Sequence, residues 1–198
     1  MRKFTYLLTM LALALGFSVA RADVVTPYAY DFSGLGSGKL VSSFAPPGWA
    51  HYVDRFQAES WSTPSFVEYF AQETGGYGDD GACLKVGSQT LYDSWGESSQ
   101  TMTDMIVTPA ITGDASIYVK QSAAEGSVSF YTCTVASNGT VTKGDKYEVT
   151  VPALSTDAWT KVELPNVAAG TRLGICGDEV LLDEFSAASA DVVLKREM

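Results

Sequence analysis

The chain has 198 residues, of which 46% are hydrophobic, 12% aromatic and 18% charged. That balance excludes a disordered acidic tail, a collagen-like rod and a coiled coil. Lys and Arg number 13 against 23 Asp and Glu, and a net charge of −10 repels phosphate backbones, so nucleic acid is not an expected partner.

Residues 1–22 have the layout of a signal peptide. Arg2 and Lys3 form a positive start, residues 7–19 are apolar apart from Thr9, Gly16 and Ser18, and Ala20-Arg21-Ala22 is a small-x-small cleavage site. The apolar stretch is shorter than the roughly 20 residues a membrane span needs, and no later segment is apolar enough to span a bilayer. The reading is therefore an exported chain that starts near Asp23 and keeps 10 basic and 23 acidic residues, a net charge of −13.

From Asp23 onward, short runs rich in Val, Thr, Tyr and Phe alternate with turn clusters, as half-buried strands do. Candidate strands cover 24–32, 49–53 and, ambiguously, 66–70. A glycine-rich stretch at 33–38 follows the first of them, and the Gly75-Gly76-Tyr77-Gly78-Asp79-Asp80-Gly81 loop follows the last. Further candidates are 82–86, 103–107, 116–121, 127–135, 146–151, 159–164, 172–176 and 180–186. Asn138-Gly139 is a hairpin-type turn signal; with Thr140 it also matches a glycosylation sequon. In 159–164, Thr160, Val162 and Leu164 share one face and Trp159, Lys161 and Glu163 the other. No window shows a sustained 3.6-residue apolar period outside the first 22 residues. One all-β domain follows: a two-sheet antiparallel β-sandwich at 23–187, with 188–198 as a tail or edge strand.

Three segments in order resemble the jelly-roll group that includes cleaved-adhesin and MAM-like domains. They are Tyr30-Asp31-Phe32 followed by Pro46-Pro47-Gly48-Trp49; Asp104-Met105-Ile106-Val107-Thr108-Pro109-Ala110-Ile111; and the pair Trp159-Thr160-Lys161-Val162 and Val180-Leu181-Leu182-Asp183-Glu184-Phe185. The resemblance spans residues 24–187. Met105 stands where the family has Trp, Glu184 where it has a second Asp, and Asp31 precedes the aromatic residue that the family places first. The resemblance implies a sandwich of jelly-roll type, exported and engaged in adhesion or carbohydrate binding outside the cell, with a glycan or a host or matrix protein as partner.

Two kinds of site follow as expectations. Calcium seeks six to eight oxygen ligands. Asp31 near the first strand and Asp183 and Glu184 in the last could converge if those strands are neighbours, similar to the structural calcium of related jelly-roll modules. Asp79 and Asp80 form a second candidate set. A sugar face needs exposed aromatic rings flanked by polar groups, and Trp61, Trp95, Tyr77 and Tyr92 are the candidates. The rival reading is a structural or protein-interaction domain without a glycan site. An exposed aromatic platform would favour the first reading, and a buried aromatic set beside a long unpaired edge strand the second.

Catalysis has less to stand on. His51 is the only histidine and no Gly-x-Ser-x-Gly elbow occurs. Asp178, Glu179, Asp183 and Glu184 are the densest acids, and a glycoside hydrolase using paired carboxylates is the third reading. Cys83, Cys133 and Cys176 lie in apolar strand-like runs and read as buried core residues, with no Cys-x-x-Cys or Cys/His grouping for zinc. Gly34-Leu35-Gly36-Ser37-Gly38-Lys39 lacks the spacing and the following helix of a phosphate loop.

Overall fold

The computed structural model describes residues 27–33, 38–39, 46–52, 70–79, 81–92 and 99–192. Its strands in chain order are β1 (Tyr28–Tyr30), β2 (Gly38–Lys39), β3 (Ala50–Tyr52), β4 (Phe70–Thr74), β5 (Ala82–Val86), β6 (Ser88–Tyr92) and β7 (Ser99–Thr103). They continue with β8 (Met105–Val107), β9 (Ala110–Gln121), β10 (Ser127–Val135), β11 (Val141–Lys146), β12 (Thr160–Asp178) and β13 (Val180–Asp191). Among the described residues the one helical element is a short 3-10 turn at Tyr77–Asp79.

Two antiparallel sheets form. The first runs β12–β9–β13–β5–β4–β2, with β1 beside the second half of β13. The second runs β11–β10–β12–β8–β3. Strand β12 belongs to both: through Thr171 it pairs with β9, and from Arg172 onward with β10. Strands β6 and β7 make a separate hairpin. The molecule is a two-sheet antiparallel β-sandwich of jelly-roll type, as the sequence predicts.

Alternation explains which side chains meet between the sheets. Ile117 and Val119 of β9, Val162 and Leu164 of β12 and Leu84 and Val86 of β5 point inward from the first sheet. Val128 and Phe130 of β10, Ile106 of β8 and Leu173 and Ile175 of β12 point inward from the second, and all join one core. Bulges keep the long strands in phase. On β13 the inward residues change from Val180 and Leu182 to Phe185 and Ala187, across a register shift that contains Glu184 at φ 47°. On β12 they change from Val162 and Leu164 to Val167, Leu173 and Ile175, across a shift that contains Asn166 at φ 59°. An extra residue on one strand flips the parity of everything after it.

The segments that carry the family resemblance meet at one corner. The ring of Trp49 packs against Tyr30, Phe32 and Phe185, and its indole N–H donates to the Tyr28 hydroxyl at 2.7 Å. The Pro46-Pro47-Gly48-Trp49 turn closes with the Trp49 amide on the Pro46 carbonyl, and Gly48 sits at φ 84°, which a type II turn requires. Arg172 donates from one guanidinium nitrogen to the carbonyls of both Gly48 and Thr108, tying the first segment to the second.

Two strand expectations need correction. Residues 147–151 do not continue a strand, because β11 ends at Lys146. Tyr147, Val149, Val151 and Leu154 pack against the core from an extended strap. The strap is held by the Tyr147 amide on Phe130, the Tyr147 hydroxyl on Pro165 and the Gln121 amide on Ser155. One-sided burial gives the same alternation as a ladder. The 103–107 run is also not one strand: Thr103 ends β7 in the hairpin, buried Asp104 intervenes, and β8 enters the second sheet. Of the ambiguous 66–70 run, only Phe70 lies within the described residues, where it opens β4.

Candidate functional site

The outer face of the first sheet carries an aromatic platform. Its base is set by β9: with Ile117 and Val119 turned inward, Tyr118 must face outward. Across β12 it is paired with Lys161, and across β13 with Asp183. The glycine-rich loop between β4 and β5 folds over this point and is anchored by Asp183, which is fully buried. One carboxylate oxygen accepts the Tyr77 amide at 2.7 Å and the other the Glu184 amide at 2.8 Å. One side chain thus fixes both the β13 bulge and the loop. Hydrogen bonds to a carboxylate are among the stronger ones, which suits a loop whose glycines otherwise leave it free.

The anchored loop lays the Tyr77 ring on the Tyr118 ring, with centroids 3.8 Å apart and planes 28° apart. Trp159 stands edge-on to Tyr77 at 6.5 Å. Tyr77 remains 36% exposed, while Tyr118 and Trp159 are half-buried. Beside the rings, Lys161 and Glu163 form an exposed ion pair at 2.8 Å. The Tyr118 hydroxyl is raised above its ordinary value by its hydrogen bond with Tyr77, then by burial and by the charges of Tyr77, Glu163 and Glu184. The arrangement offers a flat apolar surface rimmed by hydrogen-bonding and charged groups.

The outer face of the second sheet is different. Edge strands β3 and β11 approach each other, so the sheet curls around this face. Met105, Val107, Cys133 and Cys176 are buried there, with Ala50, Tyr52, Tyr131, Val135 and Val141 packed around them. The Lys143 ammonium sits 3.9 Å from the Tyr131 ring centroid.

No known family model matches the chain, and no curated protein matches it. Solved structures that resemble it include the K2 cleaved adhesin domain of Lys-gingipain, at 10% identity and a TM-score of 0.45 over 82% of this chain and 99% of that one. Another is the CBM22-1 and GH10 module pair of Clostridium thermocellum xylanase 10B complexed with xylohexaose, at 12% identity and a TM-score of 0.43. That match covers 76% of this chain, which spans 28% of the xylanase chain. A third is the family 11 carbohydrate-binding module of Clostridium thermocellum Lic26A-Cel5E, at 11% identity and a TM-score of 0.37 over 83% of this chain and 100% of that one. At these identities and scores the likenesses assign neither a family nor a ligand.

Of the aromatic residues expected from the sequence, Tyr77 is on the platform. Trp61 and Trp95 lie outside the described residues, as does the side chain of Tyr92, whose backbone ends β6. Tyr118 and Trp159 are platform residues that the sequence patterns do not single out, although a signal exists: each is an aromatic residue on the polar side of a clean alternation. Strands β1 and β13 do pair, and Tyr30 opposite Phe185 sets Asp31 next in line to Glu184. Asp31 is exposed and accepts the Ser33 amide and hydroxyl, an Asx turn. Both Asp183 oxygens hold amides, and no three metal-binding side chains of His, Cys, Asp or Glu converge among the described residues. Asp80 and the side chain of Asp79 lie outside the described residues.

Proposed function

We propose that the protein is a non-catalytic binding module, exported by its first 22 residues, that takes carbohydrate on the platform of Tyr77, Tyr118 and Trp159. The supporting observation is the exposed Tyr77 ring, held flat against Tyr118 by the hydrogen bond that its backbone N–H donates to the Asp183 carboxylate. A pyranose ring presents a face of C–H groups that stacks on an aromatic ring, while its hydroxyls need polar partners at the rim. Lys161 and Glu163 are placed to supply them. A ring pre-set by a buried carboxylate loses little freedom when the sugar arrives, which favours affinity.

Affinity electrophoresis in gels containing xylan or mixed-linkage β-glucan tests this reading. The native chain should be retarded by at least one polysaccharide, and Tyr77→Ala and Tyr118→Ala should run unretarded while keeping the native melting curve. Retardation that survives both substitutions would place the sugar elsewhere, and no retardation by any polysaccharide would favour a protein partner.

We further propose that calcium ties the first and last strands through Asp31, Asp183 and Glu184, with Asp79 and Asp80 as a second set; the pairing of β1 with β13, which ends with Tyr30 opposite Phe185, supports this reading. A melt in EDTA followed by millimolar calcium should show a loss and a recovery of several degrees. An unchanged melting point removes the metal.

A further inference from the structure

Charge is unevenly spread along the outer face of the first sheet. On β9, Ser116, Tyr118 and Lys120 take the outer side, because Ile117 and Val119 between them face the core. Successive members of that row stand about 7 Å apart. Lys120 is half-buried and lies opposite Leu181 of β13, which in turn lies opposite Lys85 of β5. On its other side Thr160 lies opposite Val119, so Trp159, one residue earlier in the antiparallel partner, comes level with Lys120. Trp159 is also the ring that stands edge-on to Tyr77. Lys120 thus marks the end of the platform where Tyr77 and Trp159 meet.

The lysines around this point differ in their partners. Lys161 is held by Glu163 at 2.8 Å and Lys85 by Glu179 at 3.1 Å. No carboxylate pairs with Lys120 among the described residues. The acids gather at the other end of the row. Glu163 lies opposite Ser116, and Glu184 sits in the bulge between Asp183, opposite Tyr118, and Ser186, opposite Ser116. The platform is therefore polar along its length, with an ammonium at one end and carboxylates at the other.

Building on the carbohydrate reading of this platform, we propose that its ligand is a uronate-bearing saccharide, whose carboxylate meets the Lys120 ammonium while a sugar ring stacks on Tyr77. Lysine is a compact point charge with three rotatable donors, which suits a single carboxylate carried on a ring. A uronate ring keeps its C–H face, so stacking and charge recognition act side by side. The chain carries a net charge of −10, which opposes an anion at long range. At physiological ionic strength that field fades within about 8 Å, whereas a half-buried contact pair is screened much less. Glu163 and Glu184 set the direction: they repel the carboxylate from their end and leave it the Lys120 end.

The test compares matched ligands by isothermal titration calorimetry at about 0.15 M salt. The probes are trigalacturonate and a glucuronate-bearing xylotetraose, each beside the same molecule with its carboxylates reduced to alcohols. In at least one pair the acid form should bind the native chain about fivefold more tightly, the upper end for an exposed charge pair. That preference should shrink at about 1 M salt. Lys120→Gln should bring the two forms to one affinity, and Lys85→Gln, whose lysine is already paired with Glu179, should keep the preference. Melting curves establish that each variant is folded. Equal or weaker binding of the acid forms, with the reduced forms still bound and lost in Tyr77→Ala, overturns the uronate proposal and leaves the carbohydrate reading standing. No binding of any probe overturns both. A preference kept by folded Lys120→Gln or lost in folded Lys85→Gln, or a sulfated trisaccharide bound as tightly as the uronates, overturns the pairing of a sugar carboxylate with Lys120.

Discussion

The two outer faces of this sandwich are built from neighbouring stretches of the same strand and differ in nearly every physical respect. Through Leu164, β12 turns Lys161 and Glu163 outward beside stacked tyrosines, and the face is aromatic, charged and wet. After Arg172 the same strand turns Gly174 and Cys176 outward, and the face is small, sulfur-rich and dry. The bulge around Asn166 lies between the two stretches. The difference comes from curvature as much as from composition. The second sheet curls until β3 meets β11, which excludes water from its outer side, whereas among the described residues the first is covered where the loop between β4 and β5 is held on Asp183. Exposure on an outer face is decided by what the sheet does, and side-chain alternation reports only which side a residue takes.

Ile106 is the strongest test of whether the faces are separable. It points into the shared core from β8, between Met105 and Val107 of the curled face. Ile106→Ala should cost about 2–5 kcal/mol, transfer loss plus cavity, and should weaken both faces together in urea unfolding. A loss below about 1 kcal/mol would mean the two faces do not share a core. Next in size is Asp183→Ala, which leaves the Tyr77 and Glu184 amides without their carboxylate. We expect a loss of about 2–3 kcal/mol and release of polysaccharide in affinity gels. Retained sugar binding would show that the platform does not need its anchor.

Much of the scaffold is legible in the sequence, and the parts that are not share one cause. Strands β5 and β10 match their sequence runs residue for residue, since both are regular and cut off by turns. The halves of β12 show as separate alternations at 159–164 and 172–176, yet they form one 19-residue strand. The parity flip of a bulge looks like a break in sequence alone. The same holds for β13, where the sequence offers Asp183 as a calcium candidate. Its position beside a bulge gives it two amides to hold, a role no spacing rule encodes. The platform is half legible: Tyr77 stands out in its loop, while Tyr118 and Trp159 depend on the pairing of β9 with β12 and the fold-over of that loop. The sulfur face is not legible at all, because Met105, Cys133 and Cys176 come from three strands and each taken alone is an ordinary core residue.

Gly174→Ala probes the dry face alone. The new methyl carbon would collide with two sulfur atoms, at 2.7 and 3.0 Å. Overpacking of this kind costs about 1–3 kcal/mol, and the lower part of that range is expected because both sulfurs can rotate aside. Sugar binding should be kept, the opposite of Asp183→Ala, and a folded variant that no longer binds polysaccharide would show that the two faces are coupled through the core.

The smallest effect separates the faces by pH. Burial lifts the Cys176 thiol from 9.0 to about 11, so the folded chain keeps a proton that the unfolded chain releases from about pH 9. That contribution to stability is complete below pH 9 and is lost as pH rises towards 11, because the unfolded state then binds fewer protons. The Tyr118 hydroxyl is also raised, above 10.0, chiefly by its bond with Tyr77, so its share is complete up to pH 10 and fades only beyond it. Raising the pH should therefore loosen the sulfur face before the tyrosine face. Melting points measured at half-unit steps from about pH 8 to 11 should fall by a few degrees, beginning near pH 9. Cys176→Ser should reduce the early part of the fall, leaving the share of Cys133, whose thiol burial also raises from 9.0, and Tyr77→Phe should alter only the part above pH 10. If Tyr77→Phe changes the early part instead, the two faces are coupled through the core, and their separation along β12 is one of chemistry but not of energy.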